Sequence, residues 1–206
     1  MAVVDRAPPA TPSEGAVGDN ELLLQAVSRA ADELNLSRTA LAHGIAELHL
    51  QAWGATTADM LRCGQALAAL APGRIAVKLP VTQQGAAVAR ELVGAGVAVT
   101  FTACYEPAQV LLAVALGVDY IAPYLGRISD QGRDGHAELI RMQRCVQALG
   151  SPLRLLVASL RSADDLALLA AEGLNTFTIS PAIAEALFAV EATEAAALQF
   201  ELDAAG

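Results

Sequence analysis

Hydrophobic positions along the chain follow two patterns that alternate. From residue 47 onward, short runs rich in Val, Ile, Leu and Thr are separated by longer Ala- and Leu-rich segments. The six short runs are LHLQAW (48–53), RIAVKLPV (74–81), VAVTFTA (97–103), DYIAPY (119–124), LRLLVAS (153–159) and NTFTIS (175–180). Because strands that alternate with helices are typical of βα units, these runs predict six strands of a parallel sheet.

The segments between the runs carry the start and stop signals of helices. Several open on Ser, Thr or Asp and several close on Gly, which are the residues preferred at helix ends. In the first segment, one helical face is apolar and carries Met60, Leu61, Leu67 and Leu70. This pattern indicates that the helix packs on a sheet. The predicted helices cover 56–71, 83–96, 106–117, 134–150, 162–173 and 181–192.

The start of the chain has the weakest pattern. Two short candidate strands, MAVVD and EGAV, surround a Pro- and Ser-containing loop, and a helical stretch follows from about Asn20 to Ala42. With these two, the strands would number eight, so we expect a single α/β domain over residues 1–206, a (β/α)8 TIM barrel. Its N-terminal portion is abbreviated, and residues 1–19 form a short, partly irregular start.

Composition and charge limit the classes of molecule that the protein is expected to bind. The chain of 206 residues is 54% hydrophobic and 17% charged, which is typical of a globular protein. Its net charge of −9, without any basic run, argues against nucleic acid or an anionic membrane surface and favours a small metabolite. Three unpaired cysteines and three scattered histidines show no metal-ligand spacing. No stretch has the length of a membrane span, so we expect a soluble cytoplasmic protein.

Lys78, in IAVKLPVT, is the only lysine of the chain. Strand parity places Ala76 and Lys78 on one face, and in a barrel this face points inward near the rim where catalytic side chains gather. Burial favours the neutral amine, which is a nucleophile able to form a Schiff base with a carbonyl substrate. The residues alone leave two alternatives open, a side chain that reaches solvent and an ion pair across the barrel.

The sequence motifs around Lys78 resemble those of a known family. VKLPVT, followed by TFTA with Thr102, by YIAPYLGRISDQGRDG and by LVASLRS, resembles the transaldolase family, in particular its small branch of fructose-6-phosphate aldolases and short transaldolases. The similarity runs from about residue 47 to residue 201. It implies a (β/α)8 class I aldolase that acts on sugar phosphates without a metal or organic cofactor, and a homo-oligomer.

The resemblance also implies roles for four residues around the amine. Lys78 matches the Schiff-base lysine, and Gln51 matches a position that is Glu in typical transaldolases and Gln in fructose-6-phosphate aldolases. Thr102 matches the threonine that, with that residue, holds the catalytic water. Tyr124 matches a tyrosine of the aldolase branch, where many transaldolases have Phe. Taken alone, Gln51 is typical of a barrel-filling amide and Tyr124 of a packing residue at the rim.

The substrate-binding positions are matched unevenly. Arg127 and Ser159 match the phosphate-binding pair of the family, Asn20 matches the asparagine that holds substrate hydroxyls, and Asp5 is a weaker match to the aspartate of the first strand. The residues around Asn20 depart from the family's TTNP motif, which leaves three hypotheses. The first is a fructose-6-phosphate aldolase-like enzyme, the second a transaldolase that transfers a dihydroxyacetone unit, and the third a diverged noncatalytic or altered-substrate relative.

Overall fold

A computed structural model describes residues 37–205, and these form a layer of parallel strands covered by helices. The strands are β1 (Leu48–Gln51), β2 (Ile75–Pro80), β3 (Ala98–Cys104), β4 (Tyr120–Pro123), β5 (Arg154–Val157) and β6 (Thr176–Phe177). The helices are α1 (Thr57–Ala68), α2 (Gln83–Gly94), α3 (Pro107–Leu116), α4 (Leu125–Asp130), α5 (Gly135–Ala148), α6 (Asp164–Ala171), α7 (Pro181–Ala186) and α8 (Glu191–Ala205). The expected short start over residues 1–19 lies outside the described residues.

The six strands form one parallel sheet in sequential order, β1 to β6. All six predicted strands are therefore confirmed, and helices connect them as predicted. Helix α4, directly after β4, was not predicted, because six residues are too few to show a helical period. The helix predicted over 181–192 is shorter than expected, because α7 ends at Ala186, and α8 is a separate helix that was not predicted. Within residues 37–205, no helix is both long enough and apolar enough to cross a membrane.

Side-chain contacts across the sheet show that it is curled. The Tyr120 hydroxyl on β4 donates to Oε1 of Glu47, next to β1, at 2.6 Å, and the rings of His49 and Tyr120 lie 4.8 Å apart. In a flat sheet, β1 and β4 would be about 14 Å apart, three strand spacings, so the strands must bend toward each other. The described residues thus form a curled half-barrel, a part of the predicted barrel.

The two faces of the sheet have different chemistry. The convex face carries Val77, Leu79 and Phe101, which are fully buried in the main hydrophobic core beneath the helices. The concave face carries a small separate apolar cluster, with Tyr120 and Leu156, and most of the buried polar side chains of the strands. Apolar packing under the helices therefore fixes the parity that turns these polar groups inward.

Candidate active site

Lys78 lies in the fourth position of β2, on the concave face, in register with Gln51 on β1 and Thr100 on β3. Only 8% of the residue is exposed, so its side chain does not extend into solvent. The apolar run around it explains this burial, because Val77 and Leu79 fix the opposite face under helices α1 and α2. The structure therefore presents an amine inside the curl of the sheet, as strand parity predicted.

Gln51, the last residue of β1, has its amide held by two backbone carbonyls. Its Nε2 donates to the carbonyl oxygens of Ala52 and Lys78, each at 3.1 Å. Because the amide NH2 is engaged there, the amide oxygen is the atom of Gln51 that is oriented to accept a further hydrogen bond. Gln51 and Lys78 thus meet at the carboxyl ends of their strands.

Thr102 and Tyr124 are joined directly. Their hydroxyl oxygens lie 2.7 Å apart, between the carboxyl end of β3 and the residue that follows β4. The backbone amide of Tyr124 donates to the Cys104 carbonyl at 3.2 Å, and the Tyr105 ring packs edge-on against the Tyr124 ring at 5.7 Å. The phenol is therefore fixed by three contacts at the rim that also contains Gln51.

Arg127 and Ser159 are brought to the same rim by the start of α4. The guanidinium of Arg127 lies over the Tyr124 ring, 4.6 Å from its centroid. Ser159 has a φ of 60°, a left-handed conformation, and its carbonyl accepts from the amide of Gly126 at 2.9 Å. A side chain at position 126 would place its Cβ 2.6 Å from that carbonyl oxygen, so this close approach requires glycine.

Arg161, which follows Ser159, is engaged elsewhere. Its guanidinium lies 2.5 Å from a carboxylate oxygen of Asp130, at the end of α4, and both side chains are exposed. An exposed pair of this kind contributes about 0–1 kcal/mol to stability. It nevertheless provides a second link between α4 and the loop after β5.

A group of polar residues that the sequence did not single out lies toward the amino ends of the same strands. Glu47, His49, Thr100 and Tyr120 are joined by hydrogen bonds, and the Arg154 guanidinium stacks on Tyr120 at 4.1 Å. The sequence signal for His49 was its position two residues before Gln51, which places it on the same face of β1.

Burial lowers the pKa of His49, and the positive charges of Lys78 and Arg154 lower it further, while Glu47 opposes both effects. The imidazole is therefore neutral at physiological pH.

Two predicted site residues, Asn20 and Asp5, lie outside the described residues. Of the other six, Gln51, Lys78 and Thr102 lie in the carboxyl-terminal halves of their strands. Tyr124 follows β4, Arg127 lies in α4 and Ser159 follows β5, at the same rim of the half-barrel. Within residues 37–205 there is no group of three His, Cys, Asp or Glu side chains suited to hold a metal ion.

Comparison with known proteins identifies the family to which this site belongs. The sequence model of the family described as Transaldolase/Fructose-6-phosphate aldolase matches residues 16–205. The chain belongs to the transaldolase/fructose-6-phosphate aldolase family. It is 36% identical over 154 residues to a "Probable transaldolase" of Caulobacter sp. (strain K31), covering 74% of this chain and 70% of the relative. A second "Probable transaldolase", of Caulobacter vibrioides, is 37% identical over 151 residues, covering 72% and 69%.

Membership of the transaldolase/fructose-6-phosphate aldolase family supports an enzyme of the aldolase or transaldolase type. Among solved structures, the chain is similar to a "PaMucR Phosphodiesterase, c-di-GMP complex", with a TM-score of 0.55 and 16% identity, over 77% of this chain and 70% of the other. At that identity the likeness concerns the fold alone. The family match therefore carries the functional argument.

Proposed function

We propose that the protein is a class I aldolase that cleaves and forms sugar phosphates through an iminium on Lys78. The observation that carries this proposal is the buried amine on the concave face, beside Gln51 and below the Thr102–Tyr124 pair. Burial favours the uncharged, nucleophilic form of an amine. Carbinolamine dehydration and carbon–carbon cleavage both need proton transfers next to that amine, and the Tyr124 phenol is a group that can carry them.

The proposed reaction begins when the amine of Lys78 adds to the ketone carbon of the sugar. The resulting carbinolamine loses water, with its hydroxyl protonated by Tyr124 or by a water held between Gln51 and Thr102. Cleavage of the bond between C3 and C4 then sends its electron pair into the iminium, and the C4 hydroxyl gives up its proton as the aldehyde forms. The enamine left on Lys78 is protonated at carbon, and water hydrolyses the new iminium to release dihydroxyacetone and regenerate the amine.

The remaining site residues would hold the substrate. Arg127 and Ser159 would bind the phosphate, since a guanidinium can offer parallel donors to phosphate oxygens and phosphate sites of TIM barrels commonly follow the last strands. Asn20, with a smaller contribution from Asp5, would bind the donor hydroxyls. This assignment includes closure of the six strands into a single (β/α)8 domain by residues that precede β1.

A transaldolase that passes the dihydroxyacetone unit to a second sugar phosphate is the other candidate. It is favoured by the relatives, which are named probable transaldolases. Against it, Gln51 cannot accept a proton as a carboxylate would, and Tyr124 provides a phenol where many transaldolases have Phe. We therefore favour release of the free donor.

Reductive trapping tests the proposal. The protein is incubated with fructose 6-phosphate or with dihydroxyacetone, then treated with borohydride, and its peptides are examined by mass spectrometry. Because Lys78 is the only lysine, a covalent increment on its peptide is distinguishable from reaction at the N-terminal amine. We expect the increment in the wild type and none in Lys78→Met.

Turnover assays distinguish the alternatives. Fructose 6-phosphate cleavage that proceeds without erythrose 4-phosphate supports the aldolase, and cleavage that requires it supports the transaldolase. If a folded wild type gives neither an adduct nor turnover with any sugar phosphate tested, the protein is the noncatalytic relative and the proposal is wrong.

A further inference from the structure

A chain of hydrogen-bonded polar groups runs through the interior of the half-barrel below Lys78. His49 Nδ1 lies 2.7 Å from Thr100 Oγ1, and His49 Nε2 lies 2.9 Å from Glu47 Oε1. The same carboxylate oxygen accepts from the Tyr120 hydroxyl at 2.6 Å. Buried polar groups carry a desolvation cost that only complete hydrogen bonding offsets, and the mechanism proposed above uses none of these four.

The donors and acceptors of this chain have a definite order. A carboxylate only accepts hydrogen bonds, so His49 must donate from Nε2 to Glu47. A neutral imidazole protonated at Nε2 has an unprotonated Nδ1, which accepts the Thr100 hydroxyl proton. The lone pairs of the Thr100 oxygen then remain as acceptors toward the groups beside it.

Thr100 is the register partner of Lys78. The two residues are Cα partners on adjacent strands, β3 and β2, and both side chains point into the curl. In-register neighbours of a parallel sheet lie about 4.8 Å apart, and the flexible four-carbon stem of a lysine lets its amine reach a hydroxyl at that distance. Ala76, the small residue preceding Lys78 on this face, allows His49 to reach Thr100 across β2.

The hydrogen-bonded groups differ in burial: two are shielded from water, and the group at one end is partly exposed. The Thr100 residue and the His49 side chain have no solvent exposure, whereas the Glu47 side chain is 24% exposed. A proton that enters at Thr100 can therefore reach water only at Glu47, at the amino ends of the strands, among the residues that the structure describes.

We propose that Thr100, His49 and Glu47 form a proton relay that deprotonates Lys78 before it attacks the carbonyl. This inference rests on the Schiff-base function proposed above. The ammonium proton passes to Thr100 Oγ1 while the hydroxyl proton of Thr100 passes to His49 Nδ1 and the Nε2 proton passes to Glu47. The products are a neutral amine and a carboxylic acid, which releases its proton to water.

The burial of His49 favours a concerted transfer. Burial lowers the pKa of the imidazole, and the charge of Arg154 disfavours its cation further once the proton has left Lys78, although Glu47 opposes both effects. In a concerted shift the ring stays neutral, because Nδ1 gains a proton as Nε2 loses one. Arg154 and the Tyr120 hydroxyl lie at the Glu47 end of the hydrogen-bonded relay. The hydrogen bond from Tyr120 stabilises the Glu47 carboxylate between turnovers.

The test compares two conservative substitutions of Thr100. Thr100→Ser keeps the hydroxyl, and Thr100→Val keeps the shape without it. The rate of adduct formation with dihydroxyacetone, trapped by borohydride, is measured from about pH 6 to about pH 9. Proton transfer by a positioned group is expected to matter most at the low end of this pH range. Glu47→Gln tests the end of the relay that is open to water, with Thr193→Val and Glu91→Gln at exposed helical positions as matched controls.

We expect Thr100→Val and Glu47→Gln to form adduct roughly tenfold or more slowly near neutral pH, since general acid–base groups typically contribute at least that much. The deficit should shrink toward high pH, Thr100→Ser should restore the rate, and both controls should match the wild type. Equal rates for wild type and Thr100→Val at every pH would overturn the relay. So would an equal, pH-independent loss in Thr100→Ser and Thr100→Val, because that indicates packing alone. A wild type without any adduct would instead refute the Schiff-base function on which the relay depends.

Discussion

Burial gives one of the three cysteines a distinct chemistry. Cys104, at the end of β3, is fully buried, whereas Cys63 and Cys145 are partly exposed. Burial raises the pKa of the Cys104 thiol to about 12; a hydrogen bond to the Glu106 carbonyl opposes this shift, and the Glu106 charge adds to it. At pH 8 only about one thiol in ten thousand would then be ionised, and the thiolate is the reactive form.

We therefore predict that Cys104 resists alkylation while the protein is folded. Iodoacetamide pulses at pH 8, followed by peptide mass spectrometry, should label Cys104 only after urea is added. Cys63 and Cys145 serve as internal references in the same sample. Labelling of Cys104 at the same rate as these two in the folded protein would contradict the burial of this strand end.

The residues of the site differ in how far the sequence could predict them. Period-two parity predicted the face of the sheet on which Lys78 lies, because the apolar residues on both sides of it fix the opposite face under helices, but it left open whether the side chain reaches solvent. The rim positions of Thr102 and Tyr124 came from the resemblance, and their hydrogen bond could not be read from spacing. His49 was missed because its partner Thr100 lies two strands away, and only the curl of the sheet brings Glu47 and Tyr120 to one another.

At the scale of elements, Asp165 ties the loop after β5 to two helices. Its carboxylate accepts from the backbone amides of Arg161 and Ser162, at 2.9 and 3.0 Å, and from His136 on α5 at 2.9 Å. The backbone amide of Asp165 in turn donates to the Ser162 hydroxyl oxygen at 3.2 Å, which completes a reciprocal cap at the start of α6. The loop that contains Ser159 is thereby held against α5 and α6.

The pH dependence of this link follows from its charge. Burial alone would raise the pKa of Asp165, but the two amides and His136 outweigh it and hold the pKa below its ordinary value of 3.8. A depressed carboxyl pKa contributes stability that is present above the unfolded-state pKa and is lost as the pH falls through the folded-state pKa. We expect Asp165→Asn to lower the free energy of unfolding by about 1–3 kcal/mol at pH 7, since its hydrogen bonds are to a charged group.

Urea unfolding at a series of pH values measures this difference. The gap between wild type and Asp165→Asn should narrow as the pH falls below about 4, where the carboxylate begins to protonate. Asp164→Asn, at the exposed neighbouring position, is the matched control and should leave the unfolding midpoint nearly unchanged. A gap that stays constant down to pH 2 would show that the carboxylate charge has no part in the link.

The elements themselves were predictable to different degrees. The strands and the helices that connect them were found, because the strands are short apolar runs and most of the helices combine an apolar period with capping residues. Helix α4 was missed, yet it matters for the site, because it begins at the residue after Tyr124 and contains Arg127. Its position is fixed by Gly126 against the Ser159 carbonyl, a contact between residues far apart in the sequence.

At the scale of the whole molecule, α8 lacks a partner among the described residues. None of its residues is buried, and it exposes Leu198 and Leu202 on one face and Phe200 on the opposite face. Large apolar side chains exposed on a helix without a partner are typical of an interface between proteins. The family resemblance implied a homo-oligomer, and α8 is the part of the described chain best suited to such a contact.

We predict that polar substitutions on α8 dissociate an oligomer without unfolding the half-barrel. In Leu198→Asp/Leu202→Asp, two carboxylates one turn apart on the same face of α8 would be buried in the interface without partners, and this strongly disfavours association. Light scattering coupled to gel filtration should show a wild-type mass that is a multiple of 21.2 kDa and a variant mass near that value. Glu194→Gln, on the same exposed helix, should leave the wild-type mass unchanged. A wild type that is monomeric at every concentration, or a double variant that keeps the wild-type mass, would place the interface elsewhere or remove it.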